Sequence, residues 1–334
     1  MTPQQSCLGV GMTTSSKNVL ILRALIALCK RDIKLPTDLY DLGYTQVVID
    51  KTIRLEDDRS VMPDLIIASS KENHCVVWES KSGRSIDNDQ AKRLASTKAN
   101  VFPDQVMLNV KIQDGFAFDI AYACDGKECQ NIRCDLDRVA KELPSVGLFP
   151  LVGFYDESGI KTHSGRFNKE NINRVLRDGI NIDLREVPTE YLRFDKDSPR
   201  SEMALYVIIN IVAYATREES LFSAEQIARD SYGSSWAHIA SNATKDEIAG
   251  KIDNVLSDAR QHELYGYLTK PGRGGIRSQK WNLSYLNRRG TAFPSKRLKK
   301  LQKQCIEFVN RLRNEEAGIY ARQLRLPFFL LEEE

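Results

Sequence analysis

The stretch Met62–Gly83, MPDLIIASSKENHCVVWESKSG, decides the fold. It holds two apolar runs, DLIIAS (64–69) and CVVWESKS (75–82), separated by the polar SKENH (70–74). Short runs rich in β-branched and aromatic residues, joined by a polar connection, read as a hairpin of two strands. His74 falls in that connection and is expected in solvent. Three charges interrupt the pattern: Asp64 at the mouth of the first run, and Glu79 and Lys81 inside the second. Strand side chains alternate faces, so Glu79 and Lys81 share a face, roughly 7 Å apart at about 3.4 Å of rise per residue. Val76, Trp78 and Ser80 face the other way. With the two runs paired, Asp64 comes beside Glu79, and two carboxylates and an ammonium converge at one edge of the sheet.

The flanks extend this core. SKNVLILRALIALCKRD (16–32) has helical spacing behind a Ser cap. YTQVVIDKTIRL (44–55) alternates and is rich in β-branched residues, which predicts one strand, and EDDRS (56–60) predicts a turn. SIDNDQAKRLASTKA (85–99) predicts a helix capped by Asp87, with Gln90 completing a capping box. DQVMLNVKI (104–112), GFAFDIAYAC (115–124) and LFPLVGFY (148–155) predict strands, and DLDRVAKEL (135–143) and NKENINRVLRDG (168–179) predict helices. Hairpin-linked strands followed by a crossover helix give an α/β domain, a mixed central sheet flanked by helices. It is expected over residues 18–195, after a flexible N-terminus of residues 1–17.

The polar RFDKDSPRS (193–201) reads as a boundary. Beyond it, three helical patterns (202–218, 223–233 and 244–264) precede two short strands around the Gly-rich PGRGGI (271–276). That is the outline of a winged helix-turn-helix domain over residues 196–290. A basic helix is expected over 291–334.

Length and composition agree with two domains. The chain has 334 residues, 42% hydrophobic and 28% charged, with a net charge of +3. The charge is unevenly spread. From Leu264 onward there are 15 Lys/Arg against 6 Asp/Glu; the remainder carries 33 against 39. A basic C-terminal part on an acidic body points to a polyanionic partner. The N-terminus lacks a basic, then apolar, signal pattern, and ALYVIINIVAYA (204–215) is too short to span a bilayer. The expectation is a cytoplasmic protein with no membrane partner. Seven Cys fit free thiols. The even spacing of Cys124, Cys129 and Cys134 invites a metal reading, but it lacks the tight pairs and fourth ligand of structural zinc.

Adjacent carboxylates repel unless a cation lies between them. Hard oxygen donors suit Mg²⁺ or Mn²⁺, which can acidify a bound water and neutralise charge on a phosphoryl group. Lys81 beside that water would stabilise the charge of the transition state. These are the parts needed to hydrolyse a phosphodiester.

Pro63-Asp64, fourteen intervening residues and then Glu79-Ser80-Lys81 resemble the PD-(D/E)XK nuclease superfamily, and the resemblance covers about residues 18 to 112. It implies a restriction-endonuclease-like fold with Asp64 and Glu79 as metal-binding carboxylates and Lys81 as the catalytic lysine. It further implies a metal ligand in the Ser80 carbonyl and a site role for Gln90, which a capping box would also explain. Many members place a Glu on the first core helix, and residues 16–32 have none. Asp50 and Glu56 are the candidates to replace it, and a one-metal site is better supported than a two-metal one. The resemblance also implies restriction, anti-phage defence or mobile-element processing as settings, and a homodimer or larger complex as the working form.

The wing residues Arg273, Arg277 and Lys280, and the run Arg288, Arg289, Lys296, Arg297, Lys299, Lys300 and Lys303, predict phosphate contacts with DNA, duplex in preference to single strands. Trp281 and Tyr285 either stack on a base or anchor the wing. The expected function is that of a Mg²⁺-dependent DNA endonuclease. The rivals are a non-catalytic nucleic-acid-binding adaptor or sensor on the same fold, and a transcription regulator.

Overall fold

The computed structural model describes residues 16–55, 59–97, 115–143, 149–155, 159–270, 280–283 and 295–325. Contacts divide the chain into two units. One runs to Arg193 and includes Gly233–Thr244; the other contains Phe194–Tyr232 and the chain from Lys245 onward.

The first unit is α/β. Helix α1 (Lys17–Leu28) starts at Ser16, whose hydroxyl accepts from Val19 N, and it is buried nearly all round. A short α2 (Asp38–Asp41) leads into β1 (Tyr44–Ile49), followed by the small β2 (Ile53–Arg54)/β3 (Ser60–Val61) pair. Strands β4 (Leu65–Ser69) and β5 (His74–Lys81) follow, then α3 (Asn88–Ala95), β6 (Ala117–Asp125), α4 (Cys129–Glu142), β7 (Leu151–Tyr155), β8 (Gly159–Ser164) and α5 (Glu170–Asp178). The six-stranded sheet has the order β1-β4-β5-β6-β7-β8. Pairing is antiparallel for β1/β4, β4/β5 and β7/β8, and parallel for β5/β6 and β6/β7. This is the mixed sheet expected from hairpin-linked strands and crossover helices.

Strand β5 is buried at every residue from His74 to Ser80, so both faces of the sheet are covered there. Cys75 and Val77 join Ile66, Ala68, Ile120, Tyr122 and Cys124 beneath Ala91 and Leu94 of α3 and Ile132, Leu136 and Val139 of α4. Trp78, on the alternate face, is fully buried, with its ring centroid 5.9 Å from that of Phe167.

Local chemistry shapes the hairpin. Ser69 Oγ donates to Leu42 O and accepts from Glu72 N, and Asn73 closes the turn at φ +48°, a left-handed conformation that Asn tolerates.

Several details differ from the sequence reading. The single strand expected over 44–55 breaks after Ile49, because Asp50 takes φ +49°. His74 is not in solvent. It opens β5 fully buried, held by Tyr44 Oη at 2.6 Å and Asp119 Oδ2 at 2.8 Å. Asp119 also accepts from Asn168 N and Nδ2. The helix expected to start at 135 starts at Cys129. Strand β8, GIKTHS, lacks an apolar run because it is a half-exposed edge. The strand expected over 104–112 lies outside the described residues.

The second unit holds α6 (Arg200–Thr216), β9 (Leu221–Ser223), α7 (Ala224–Tyr232), α8 (Asn242–Gln261), β10 (Leu268–Thr269), β11 (Lys280–Leu283) and α9 (Ser295–Arg325). Its antiparallel sheet has the order β10-β11-β9. Helix α9 packs on α6 through Leu301, Cys305, Phe308, Val309 and Leu312, which recur at helical spacing and are buried. Glu316 accepts from Ser201 N at 2.9 Å, and Arg311 ties α9 to Glu263 at 2.7 Å. Between α7 and α8, the 3₁₀ segment Gly233–His238 packs in the first unit. There Lys30 Nζ lies 3.0 Å from His238 Nε2, and Ala240 N donates to Ile49 O.

Replacing Trp78 by Ala empties the most voluminous fully buried side chain of β5. We expect a loss of about 3–5 kcal/mol in urea unfolding. A loss below ~1 kcal/mol would show that the sheet does not depend on this contact.

Candidate functional site

The geometry of the opening stretch follows from register. Leu65 pairs with Trp78, so Asp64, one step before β4, stands across from Glu79. Asp64 Oδ2 accepts a 2.8 Å hydrogen bond from Ser80 N. Lys81 Nζ donates to Glu79 Oε1 at 2.8 Å and to Gln90 Oε1 at 3.3 Å. Asp64, Glu79, Ser80, Lys81 and Gln90 therefore meet at one end of β4 and β5, under the first turn of α3. Glu79 is 3% exposed and the Lys81 side chain 17%, so the ion pair is poorly hydrated.

Each residue is positioned by its element. Pro63 ends the loop before β4 and the strand starts beside Asp64. Alternation along β5 sends Glu79 and Lys81 to the face that also carries Tyr122, the register partner of Glu79 in β6. Helix α3 is capped by Asp87, whose Oδ1 accepts from Asp89 N and Gln90 N. The Gln90 side chain does not complete a capping box. It turns to Lys81 instead.

Electrostatics distinguish the two acids. Some surface of Asp64 stays open, but its carboxyl is crowded by protein. Burial raises its pKa well above the ordinary carboxylate value; the charges of Glu79 and Asp50 raise it further, while the Ser80 N–H and Lys81 oppose the rise. Asp50 is a third acid beside this pair. Its N–H donates to Asp64 O at 3.3 Å, it is 7% exposed, and it sits in the left-handed conformation that ends β1. Glu56, its rival in the sequence, lies outside the described residues.

Hard oxygen donors with mutual repulsion fit a divalent cation, which would relieve the penalty on the Asp64 carboxylate. Asp64 and Glu79 are the side chains that would hold it. Among the described residues no three His, Cys, Asp or Glu side chains gather around one ion position. The cysteine trio is not a ligand set either. Cys124 and Cys129 are buried together, while Cys134 lies exposed along α4.

In the second unit, Lys280, Arg297, Lys299, Lys300 and Lys303 are exposed. Lys296 lies in α9. Arg273, Arg277, Arg288 and Arg289 fall outside the described residues, as does Tyr285. Trp281 does not stack on a base. It is fully buried, and its Nε1 donates to Asp253 Oδ1 at 2.9 Å, beside Lys270 Nζ, which bonds Asp253 Oδ2 at 2.7 Å. It is an anchor of the small sheet.

The family model of the MJECL32 domain matches residues 17–192. The chain belongs to the MJECL32 domain family. The match covers the whole sheet of the first unit, so the convergence of Asp64, Glu79 and Lys81 lies inside the MJECL32 domain. No curated protein and no solved structure matches the chain. No helix among the described residues is long and apolar enough to cross a membrane.

The raised pKa of Asp64 has a definite sign in stability. The folded state holds this proton more tightly than the unfolded chain, whose Asp titrates near pH ~3.9. Asp64 therefore costs stability as pH rises from about 4 through its folded pKa, and the cost persists above it. Asp64→Asn keeps an acceptor for Ser80 N and removes the charge. We expect the variant to unfold at higher urea than the parent near pH ~8, with the gap closing toward pH ~4. A variant less stable than the parent near pH 8 would contradict this electrostatic account.

Proposed function

We propose that this MJECL32 domain protein is a metal-dependent nuclease of the PD-(D/E)XK kind, hydrolysing phosphodiester bonds in DNA. The observation that carries the reading is the meeting of Asp64, Glu79 and Lys81 at one end of two neighbouring strands of a mixed sheet, beside the helix that follows. The spacing Pro63-Asp64 to Glu79-Ser80-Lys81 agrees with it. Asp64 and Glu79 would hold Mg²⁺ or Mn²⁺, with the Ser80 carbonyl as a further oxygen donor. When bound, such an ion supplies charge neutralisation at the phosphoryl group and a more acidic water. Lys81 contributes a positive charge at the point where negative charge develops on the phosphate. Gln90 orients the Lys81 ammonium through its Oε1. Asp50 adds negative charge to the same corner.

The second unit supports a nucleic-acid substrate. Its connectivity, α6–β9–α7–α8–β10–β11 with sheet order β10-β11-β9, agrees with a winged-helix reading. Arg297, Lys299, Lys300 and Lys303 of α9 are exposed, where phosphates can reach them. The biological setting we infer is restriction, defence or mobile-element processing.

One observation favours a second reading, a non-catalytic nucleic-acid-binding adaptor. Lys81 is committed to Glu79 at 2.8 Å, and no third acid joins a ligand cluster among the described residues.

Two measurements separate these. Plasmid cleavage in Mg²⁺ or Mn²⁺ is expected to fall at least ~100-fold in Asp64→Ala and in Lys81→Ala. Mn²⁺ is expected to raise the melting temperature of the parent protein but not of Asp64→Asn. Cleavage that persists in both Ala variants would remove these residues from the reaction. DNA binding without cleavage and without a Mn²⁺ shift would establish the adaptor.

Deleting α9 would uncover α6, so the DNA contact is better tested by charge. Replacing Lys299, Lys300 and Lys303 by Gln is expected to weaken DNA binding uniformly across sequences. It should also flatten the dependence of log K on log salt by about 0.9 per lost phosphate contact. An unchanged slope would move the contact elsewhere.

A further inference from the structure

We propose that Cys124 and Cys129 form a reversible redox site, a dithiol that a hydroperoxide converts to a disulfide. This inference does not depend on the nuclease reading.

The two sulfurs are 3.1 Å apart and both residues are fully buried. A disulfide needs about 2.05 Å, so roughly 1 Å of closure makes the bond. Their elements allow that closure. Cys124 is the penultimate residue of β6, and Cys129 opens α4, with only the turn Asp125–Glu128 between them. Glu128 occupies the cap position without a side-chain cap bond.

The pair is polarised. Cys129 Sγ lies 3.6 Å from Asp125 O, its acceptor, and next to the Cys124 thiol. The hydrogen bond from Cys124 lowers the Cys129 pKa, against the effect of burial, and raises that of Cys124. Cys129 is thus the attacking sulfur and Cys124 the resolving one.

A tyrosine built into a slot covers the pair. A Cβ on Gly126 would lie 2.3 Å from the Tyr155 ring, and one on Gly153 2.6 Å from it, so both glycines leave room for this side chain. Tyr155 Oη reaches Cys129 Sγ at 4.0 Å and the exposed His163 Nδ1 at 3.2 Å. The hydroxyl can donate to the thiolate as it forms, and His163 connects it to solvent.

The chemistry balances with a hydroperoxide as oxidant. The Cys129 sulfur attacks one peroxide oxygen and the O–O bond breaks. This leaves a sulfenic acid on Cys129, and the thiol proton goes to the departing alcohol or water. The Cys124 sulfur then attacks the Cys129 sulfur, the S–O bond breaks, and water leaves with the Cys124 proton. Two thiols lose two electrons and the peroxide gains them. The site is one strand away from the charged corner, because Cys124 is the register partner of Lys81 in the β5/β6 pairing.

Tryptic mapping of the intact protein tests this directly, because Lys127 separates the two cysteines. After brief hydrogen peroxide treatment of the folded chain and blocking of free thiols, peptides 112–127 and 128–133 are expected as one linked species. Dithiothreitol should release it. It should be absent from Cys129→Ser and retained in Cys134→Ser. The proposal is overturned if Cys124 and Cys129 stay free under a treatment that oxidises the exposed Cys134. It is equally overturned if the linked species contains peptide 134–138, which carries Cys134.

Discussion

The antiparallel pairing of β4 with β5 is the constraint on which the rest of the first unit depends. Its register, Leu65 against Trp78, brings Asp64 across from Glu79 and hands the strand end to Lys81. Strand side chains have a period of two, so a slip of one residue would send Asp64 and Glu79 to opposite faces. Close packing of particular side chains on both faces of β4 and β5 opposes that slip, because it would turn every core side chain over. The hydrophobic core thus sets the geometry of the charged corner at its edge.

That corner is costly. Glu79 is nearly dehydrated, Asp64 is crowded, and Asp50 adds a third negative charge. The Lys81 ammonium and the Ser80 N–H offset part of the repulsion. Buried ion pairs seldom repay their desolvation in full. An apolar arrangement at this end of the strands would avoid that cost.

The second unit divides the labour of one helix between its faces. The apolar stripe of α9 completes the packing of α6, and its other face carries exposed cations. Arg297, Lys299, Lys300 and Lys303 are therefore part of a folded element. Asp253 plays a comparable organising role, since it holds Trp281 and Lys270 at once. This is why Trp281 of β11 serves structure.

Much of this was legible in the chain itself. Period-two and helical patterning, Ser and Asp caps and polar turns determined the order of the elements, the α/β class and the charges at the ends of two strands. These are local properties, written in consecutive residues. The tertiary structure alone decided the rest. It brought Asp50 to Asp64 by breaking a strand that propensity favours, turned Gln90 from its cap to Lys81, and buried His74 between Tyr44 and Asp119. It also placed residues 233–244 with the sheet, and it set Cys124 and Cys129 3.1 Å apart under a tyrosine seated between two glycines. The burial of His74 depends on partners tens of residues away, and the others on a backbone angle or a side-chain orientation that packing imposes; the residue types at those positions carry no local trace of it.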